Sequence, residues 1–474
     1  MSVETILLVL VLLAGFYTAW NIGANDVANA MGTSIGSGAL TLKQAVMIAA
    51  VLEFSGAFFF GAHVSDTIEN GIIDSSIFLH QPLLLVYGML AALTGTGLWL
   101  QVASYFGWPV STTHAIVGGV IGFGAVVGGW EAIYWDNVAF IASSWVFSPL
   151  LGGLISYFLF MILRKQIFYT SKPVENAKRL TPLLVFFFTL VLSVLLLFGG
   201  LHNINLEFNF FEAAGISLLT SIAGAIISYF WVKTIRTPDV VSQKSTTFNP
   251  EVILALDKVK KHLQNAKSLC VGAPKYRLNL LFDEVDELKS SYHKYEDSEV
   301  TRSEYDTVEK IFGRLQIITA CCMAFAHGAN DVANAIGPLA AAINVLRTGV
   351  ISATTVIPVW LLALGGVGIV TGLATWGWRV IATIGKKITE LTPSRGFAAE
   401  FGAATTVVFA SRLGLPISTT HTLVGAVVGV GLARGLEALD LRTTRDIVIS
   451  WIATIPIGAG ITIALFYILL HIFN

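Results

Sequence analysis

Gly23-Ala24-Asn25-Asp26-Val27-Ala28-Asn29-Ala30 returns, letter for letter, as Gly328-Ala329-Asn330-Asp331-Val332-Ala333-Asn334-Ala335. Beyond each copy lies a second matched pair. Trp108-Pro109-Val110-Ser111-Thr112-Thr113-His114 is echoed by Leu415-Pro416-Ile417-Ser418-Thr419-Thr420-His421. The first pair is offset by 305 residues and the second by 307. Two motifs kept in order at nearly one separation indicate an internal duplication.

The sequence around the motifs is apolar. Hydrophobic residues make up 55% of the 474 and charged residues 12%, with mean hydropathy +0.73. A soluble domain carries about a quarter of its residues as charges, so most of this chain faces lipid or protein packed within lipid. The 44 glycines agree, because helices in membranes approach closely through small residues. Apolar stretches run from Ile6–Trp20 to Ala213–Val232 and resume from Ile311–Ala326 to Ile447–Phe473. Several fall short of the ~20 residues needed to cross a bilayer. These end at polar Gly/Pro-rich motifs, the pattern of discontinuous or re-entrant helices. The expected fold class is an all-α integral membrane protein with about ten to twelve transmembrane segments. Met1 to Trp20 carries Glu4 but no Lys or Arg, so it reads as a retained span rather than a signal peptide.

A net charge of −1 offers no basic face for nucleic acid. Cys270, Cys321 and Cys322 are too few for a disulfide framework and lack metal-ligand spacing. No resident cofactor is expected. Residues 233–310 differ in kind, with interleaved acids and bases and no spanning run. Asn249-Pro250-Glu251 reads as a helix start. Leu281, Val285, Leu288, Tyr292 and Tyr295 then form a heptad-like stripe. The expected organisation is a first membrane half over 1–232, a soluble helical hairpin over 233–310 and a second membrane half over 311–474.

Loop charge gives an orientation. Arg164, Lys165, Lys172, Lys178 and Arg179 crowd one loop, and Arg379, Lys386, Lys387 and Arg395 another; both read as cytoplasmic. Loops at His63–Gln81, Glu131–Asn137 and His202–Glu212 hold acids without Lys or Arg and read as external. Both termini then fall outside and the hairpin inside, in a multi-pass protein of the cell membrane. Arg347 is at odds with this scheme, which leaves it on the outer side. The loop after the next span is acidic in one half and basic in the other, so the halves are expected to be inverted. Inverted repeats belong to alternating-access transporters, with substrate near the midplane.

The motifs suit ions. An Asp at the centre of a membrane helix costs roughly 2.5–3.5 kcal/mol, and Asp26 and Asp331 have no base within their motifs to offset it. A cation or a proton is the natural compensation. Asn25, Asn29, Asn330 and Asn334 add neutral oxygens, hard ligands for a small cation. The intervening Gly and Ala are expected to let the backbone unwind and lend its carbonyls. Pro-x-Ser-Thr-Thr-His describes a helix N-terminus, where free amides and the helix dipole favour an anion. The hydroxyls of Ser111, Thr112, Ser418 and Thr419 add donors.

Other acids break the symmetry. The counterpart of Glu53 is Pro358, that of Glu400 is Leu93, and His327 stands where the first copy has Ile22. Glu53, Glu400 and His327 are candidates for coupling or gating, with a polar contact between helices as the alternative. Gln44 is a candidate neutral ligand. His114 and His421 read as buttresses of the hydroxyl loops.

With the doubled motif and both Ser-Thr-Thr loops, the chain resembles the inorganic phosphate transporter family, sodium– or proton–phosphate symporters. The resemblance covers both membrane halves. It implies that Asp26 and Asp331 are essential aspartates, with Asn25, Asn29, Asn330 and Asn334 as companions. It assigns Ser111, Thr112, Thr113, Ser418, Thr419 and Thr420 to phosphate, links Glu53, Glu400 and His327 to transport, and implies a homodimer. The expected activity is symport of inorganic phosphate with sodium. Paired Asp with flanking Asn suits sodium, while Glu53 or Glu400 would suit a proton. A symporter of sulfate or arsenate and an anion channel are the competing readings; no enzymatic constellation stands out.

Overall fold

A computed structural model describes residues 2–197, 208–236, 250–269, 273–296, 299–351, 357–381, 391–435, 439 and 441–473. Cys270, Asn249, Lys386 and Lys387, singled out above, lie outside them. The described residues are helical throughout, with one isolated bridge between Ile73 and Ile133 and no strand. In chain order the helices are α1 (Val3–Gly36), α2 (Leu42–Phe60), α3 (Ala62–Asn70), α4 (Pro82–Phe106), α5 (Thr112–Gly128), α6 (Trp135–Leu163), α7 (Pro173–Leu197) and α8 (Phe210–Lys233). There follow α9 (Pro250–Leu269), α10 (Ala273–Glu296), α11 (Glu299–Asp331), α12 (Ala333–Thr348), α13 (Val359–Thr375), α14 (Pro393–Arg412), α15 (Thr419–Arg434) and α16 (Leu441–Phe473).

Eight helical stretches among the described residues are long and apolar enough to cross a bilayer, and Thr112–Gly128 and Val359–Thr375 are shorter apolar helices. The protein is a multi-pass, all-α membrane protein. Local signals set the helix ends. Ser2 accepts from the Thr5 amide at the start of α1, and Pro82 opens α4. At α2 the Gln44 amide donates to Thr41 Oγ1 at 3.4 Å while the Thr41 amide donates to Gln44 Oε1 at 3.1 Å, a reciprocal cap. Gly107 closes α4 at φ +69°, a left-handed turn that a side chain would strain.

Contacts divide the chain into two compact units. The first comprises residues 1–160, 187–222 and 312–474 and contains both copies of each motif. Its centre is α1, packed on α4 and α13, with α2 on α13 and α5 on α16. Burial is uneven along α1: from Asn21 to Ser34 every residue is buried, whereas its first turns are largely exposed. Cys321 and Cys322 are half-buried free thiols of α11.

The second unit comprises residues 161–186 and 223–311. Here α9 and α10 pack against each other, crosslinked by Lys260–Asp286 and Lys289–Asp257, each at 2.5 Å. Leu281 and Leu288 of the heptad-like stripe are about half exposed, so that stripe is not a buried seam. The Lys260 and Lys267 ammonium groups lie over the Phe282 ring instead, at 4.9 and 5.6 Å.

The expected unwinding at the repeated motif is not observed. Helix α1 runs unbroken through Gly23–Ala30, and α11 and α12 are parted only at Val332, itself in helical geometry. The glycines serve packing. A Cβ on Gly23 would lie 1.9 Å from the Ile369 carbonyl oxygen of α13, and one on Gly328 2.1 Å from that of Glu53 in α2. Each glycine therefore admits the backbone of a crossing helix, and in α2 that backbone carries Glu53.

Candidate functional site

Because both copies stay helical, residues three and four apart share one face and turn Asp and Asn inward together. Asn25, Asp26, Asn29, Asn330, Asp331 and Asn334 are all at most 1% exposed. The two copies make the same contacts in the same register. Asn25 Nδ2 donates to Ser104 Oγ at 3.0 Å and the Trp108 carbonyl at 3.1 Å; Asn330 Nδ2 donates to Ser411 Oγ and the Leu415 carbonyl at the same distances. Each copy is thus tied to the loop of its own half.

The second Asn crosses over. Asn29 Nδ2 donates to Thr420 Oγ1 at 2.8 Å and Thr419 Oγ1 at 3.3 Å, in the loop of the other half. Asn334 Nδ2 reciprocates with Thr112 Oγ1 at 3.1 Å and Thr113 Oγ1 at 3.2 Å. The loops also grip one another, since Thr113 donates to the Ile417 carbonyl and Thr420 to the Val110 carbonyl, at 3.0 and 3.2 Å. Ser111 and Ser418 are N-caps of α5 and α15, accepting the amides of His114 and His421 at 3.2 Å. The remaining amides of the first turns have no intrahelical acceptor. Two helix N-termini therefore converge, both lined with hydroxyls.

The acids lie beside them. Asp26 Oδ1 accepts from Asn29 Nδ2 at 3.1 Å and Asp331 Oδ2 from Thr419 Oγ1 at 2.8 Å. His327 stands between carboxylates, its Nε2 3.1 Å from Asp331 Oδ2 and its Nδ1 3.3 Å from Glu53 Oε2. Asp26, His327 and Asp331 bring ligand atoms within 4.8 Å of one another. Among the buried acceptor oxygens that lack a donor, six fall in matched pairs: Oδ1 of Asn25 and Asn330, Oδ1 of Asn29 and Asn334, Oδ2 of Asp26 and Oδ1 of Asp331. A buried oxygen without a donor costs about 1–3 kcal/mol, and carboxylate and amide oxygens of this kind are suited to a hard cation.

The sequence candidates separate into three groups. The doubled motif, both loops, Glu53 and His327 come together. Glu400 is a second buried acid whose Oε1 accepts from Thr33, from Ser34 at 2.5 Å and from Gln316 at 3.4 Å, and whose Oε2 accepts from Thr319 at 2.8 Å. Gln44 is corrected outright, since its side chain is spent on the exposed cap of α2 rather than on an ion. His114 and His421 do buttress the loops. Their rings meet edge to face at 4.4 Å, and His114 Nδ1 reaches the Trp451 carbonyl at 3.2 Å. Sequence reasoning missed Ser104 and Ser411, although the offset that relates Ser111 to Ser418 relates them too. It also missed Thr33, Ser34, Gln316 and Thr319, hydroxyl and amide residues with no motif around them.

Comparison with known proteins points to one family. A family profile described as the phosphate transporter family matches residues 22–462. The chain is 49% identical to inorganic phosphate transporter 2-1, chloroplastic, of Arabidopsis thaliana, over 96% of this chain and 70% of that protein. A solved structure titled "The sodium-dependent phosphate transporter" superposes with TM-score 0.79 at 38% identity, covering 98% of this chain and 99% of that one.

Proposed function

The chain belongs to the phosphate transporter family, and on that premise we propose that it imports inorganic phosphate by sodium-coupled symport with alternating access. The observation that carries the sodium reading is the set of six unpartnered oxygens beside two convergent helix N-termini. Oxygen-only donors suit a hard monovalent cation, while amides and hydroxyls at helix starts suit an oxyanion. The 38% identity to a structure titled sodium-dependent supports the same choice of cation.

In this reading Asp26, Asp331 and their four asparagines hold sodium. The bound cations offset the buried carboxylates and the incoming anion, so no arginine is needed at the centre. Phosphate then docks on Ser111, Thr112, Thr113, Ser418, Thr419 and Thr420. Glu53, through His327, reports cation occupancy to α2, and Glu400 acts separately where α1, α11 and α14 meet. The halves work as inverted copies exchanging exposure of one central site, in a homodimer as the family resemblance implies.

Uptake of labelled phosphate into liposomes holding the purified protein tests this, with sodium and proton gradients imposed separately. A sodium gradient alone is expected to drive accumulation. Accumulation driven only by protons would refute sodium coupling, and flux persisting with both gradients collapsed would indicate a channel. Asp26→Asn and Asp331→Asn are expected to abolish uptake while the protein stays folded in the membrane; wild-type rates in either would refute the assignment.

A further inference from the structure

Arginine is costly at a membrane protein's half-buried surface unless its charge is met. Arg379, just beyond α13, is half-buried and has no carboxylate partner among the described residues. Three aromatic faces surround it instead. Its guanidinium carbon lies 5.0 Å from the Trp376 ring centre and 5.2 Å from those of Tyr105 and Trp378. Nη1 donates to the Tyr105 carbonyl at 3.4 Å, and buried Nε has no acceptor. Of five N–H donors in a rigid fork, one long bond is accounted for. Aromatic quadrupoles hold the plane of the cation but leave its donor edge unsatisfied.

The position of this cage gives the donor edge a use. Tyr105 meets Phe106 edge to face at 5.2 Å, and Phe106 stacks on Trp108 at 5.0 Å. Trp108 opens the first Ser-Thr-Thr loop, and its carbonyl holds Asn25. On the other side Trp376 meets Trp20 of α1 at 5.6 Å, three residues ahead of Gly23. The rings of Tyr105, Phe106 and Trp378 are more than half exposed, so the cage opens away from the protein. The cation therefore stands at the rim of the first motif and its loop. A planar fork with free donors selects an oxyanion able to accept two parallel bonds, which phosphate does well.

We propose that Arg379 and its aromatic cage bind a phosphate group at this rim. The group is free phosphate at the cytoplasmic mouth of the central site or a phospholipid headgroup of that leaflet, because interfacial aromatic and basic residues serve both. The free-phosphate source rests on the transport reading above, and the lipid source does not. The test compares wild type, Arg379→Gln and Arg379→Lys in two measurements. The first is the KM and kcat of labelled phosphate uptake into phosphatidylcholine liposomes by protein oriented with its cytoplasmic face outward, so that phosphate meets Arg379 first, at low and high ionic strength. The second is the thermal unfolding midpoint in neutral detergent, with phosphatidylglycerol added or omitted.

Capture of free phosphate predicts that Arg379→Gln raises KM about 3- to 10-fold at low salt with kcat unchanged, and that the gap narrows at high salt. Headgroup capture predicts that phosphatidylglycerol raises the wild-type midpoint but not that of Arg379→Gln, with KM unaffected. Arg379→Lys keeps the charge but loses the fork, and is expected to fall between the two in whichever measurement responds. An Arg379→Gln protein matching wild type in both measurements would overturn the inference. If that variant does not fold, Arg379→Lys matching wild type in both does so equally. Absence of uptake by the wild type would instead count against the transport reading.

Discussion

Gly328→Ala tests whether helix contact, rather than loosened backbone, sets the repeated motif. A Cβ there would sit 2.1 Å from the Glu53 carbonyl oxygen and 2.7 Å from both its carbonyl carbon and Cα. Ordinary contact requires about 3.5 Å, so α2 must retreat from α11 by more than ~1 Å. The obstacle is backbone inside a helix and cannot swing aside, so Glu53 retreats as well. Its Oε2 is already 3.3 Å from His327 Nδ1, and a further ~1 Å breaks that contact. Overpacking of this kind costs about 1–3 kcal/mol of stability. A misplacement of ~1 Å at a working site costs on the order of 100-fold in rate. The assay is labelled phosphate uptake per reconstituted protein, with thermal unfolding of the same sample. Gly460→Ala is the control, because a Cβ there meets nothing within 4 Å. The reasoning is refuted if Gly328→Ala transports at wild-type rate, or if Gly460→Ala is equally impaired.

Removing either crossing asparagine should have one consequence. Asn29→Ala and Asn334→Ala each free two threonine hydroxyls of the opposite loop, so both should lower uptake by a similar factor, roughly 10- to 100-fold at about 1.5–3 kcal/mol; a defect confined to one would count against matched halves. Glu400→Gln places an amide donor among four side-chain donors and is expected to cost about 1–3 kcal/mol. An unchanged thermal midpoint would argue against that network. Lys260→Ala in the hairpin loses a partly exposed ion pair with Asp286 and should cost less than about 1 kcal/mol, shrinking further in high salt. A larger, salt-insensitive loss in thermal unfolding would show that packing of the lysine stem matters more.

The parts of the site legible in the sequence were those whose chemistry is costly in lipid. Asp26 and Asp331 in apolar runs demand compensation, and their repetition marks them as a pair. Ser111 and Ser418 advertise helix starts by their neighbours alone. Backbone state was not legible, because Gly and Ala favour both unwinding and close helix contact, and only Ile369 and Glu53 pressed against Gly23 and Gly328 decide between these. The partners of Glu400 were hidden for another reason. Thr33 and Ser34 belong to one helix and Gln316 and Thr319 to another, and no periodicity relates them. Gln44 misled because an amide beside an ion motif looks like a ligand until Thr41 is recognised three residues earlier as its capping partner.

The exchange of asparagines between halves bears on how the chain is made. Asn29 is synthesised early, yet the threonines that satisfy it lie 390 and 391 residues later. Within nascent α1 the Asn29 amide has only Asp26 Oδ1 as its side-chain acceptor until those threonines are made. Contacts so distant in sequence form late and leave an intermediate exposed to error. A ribosome that stalls before Thr419 strands Asn29 without the partners that complete its environment. The second Ser-Thr-Thr loop thus completes the environment of a helix made long before it, and the two halves are satisfied only together.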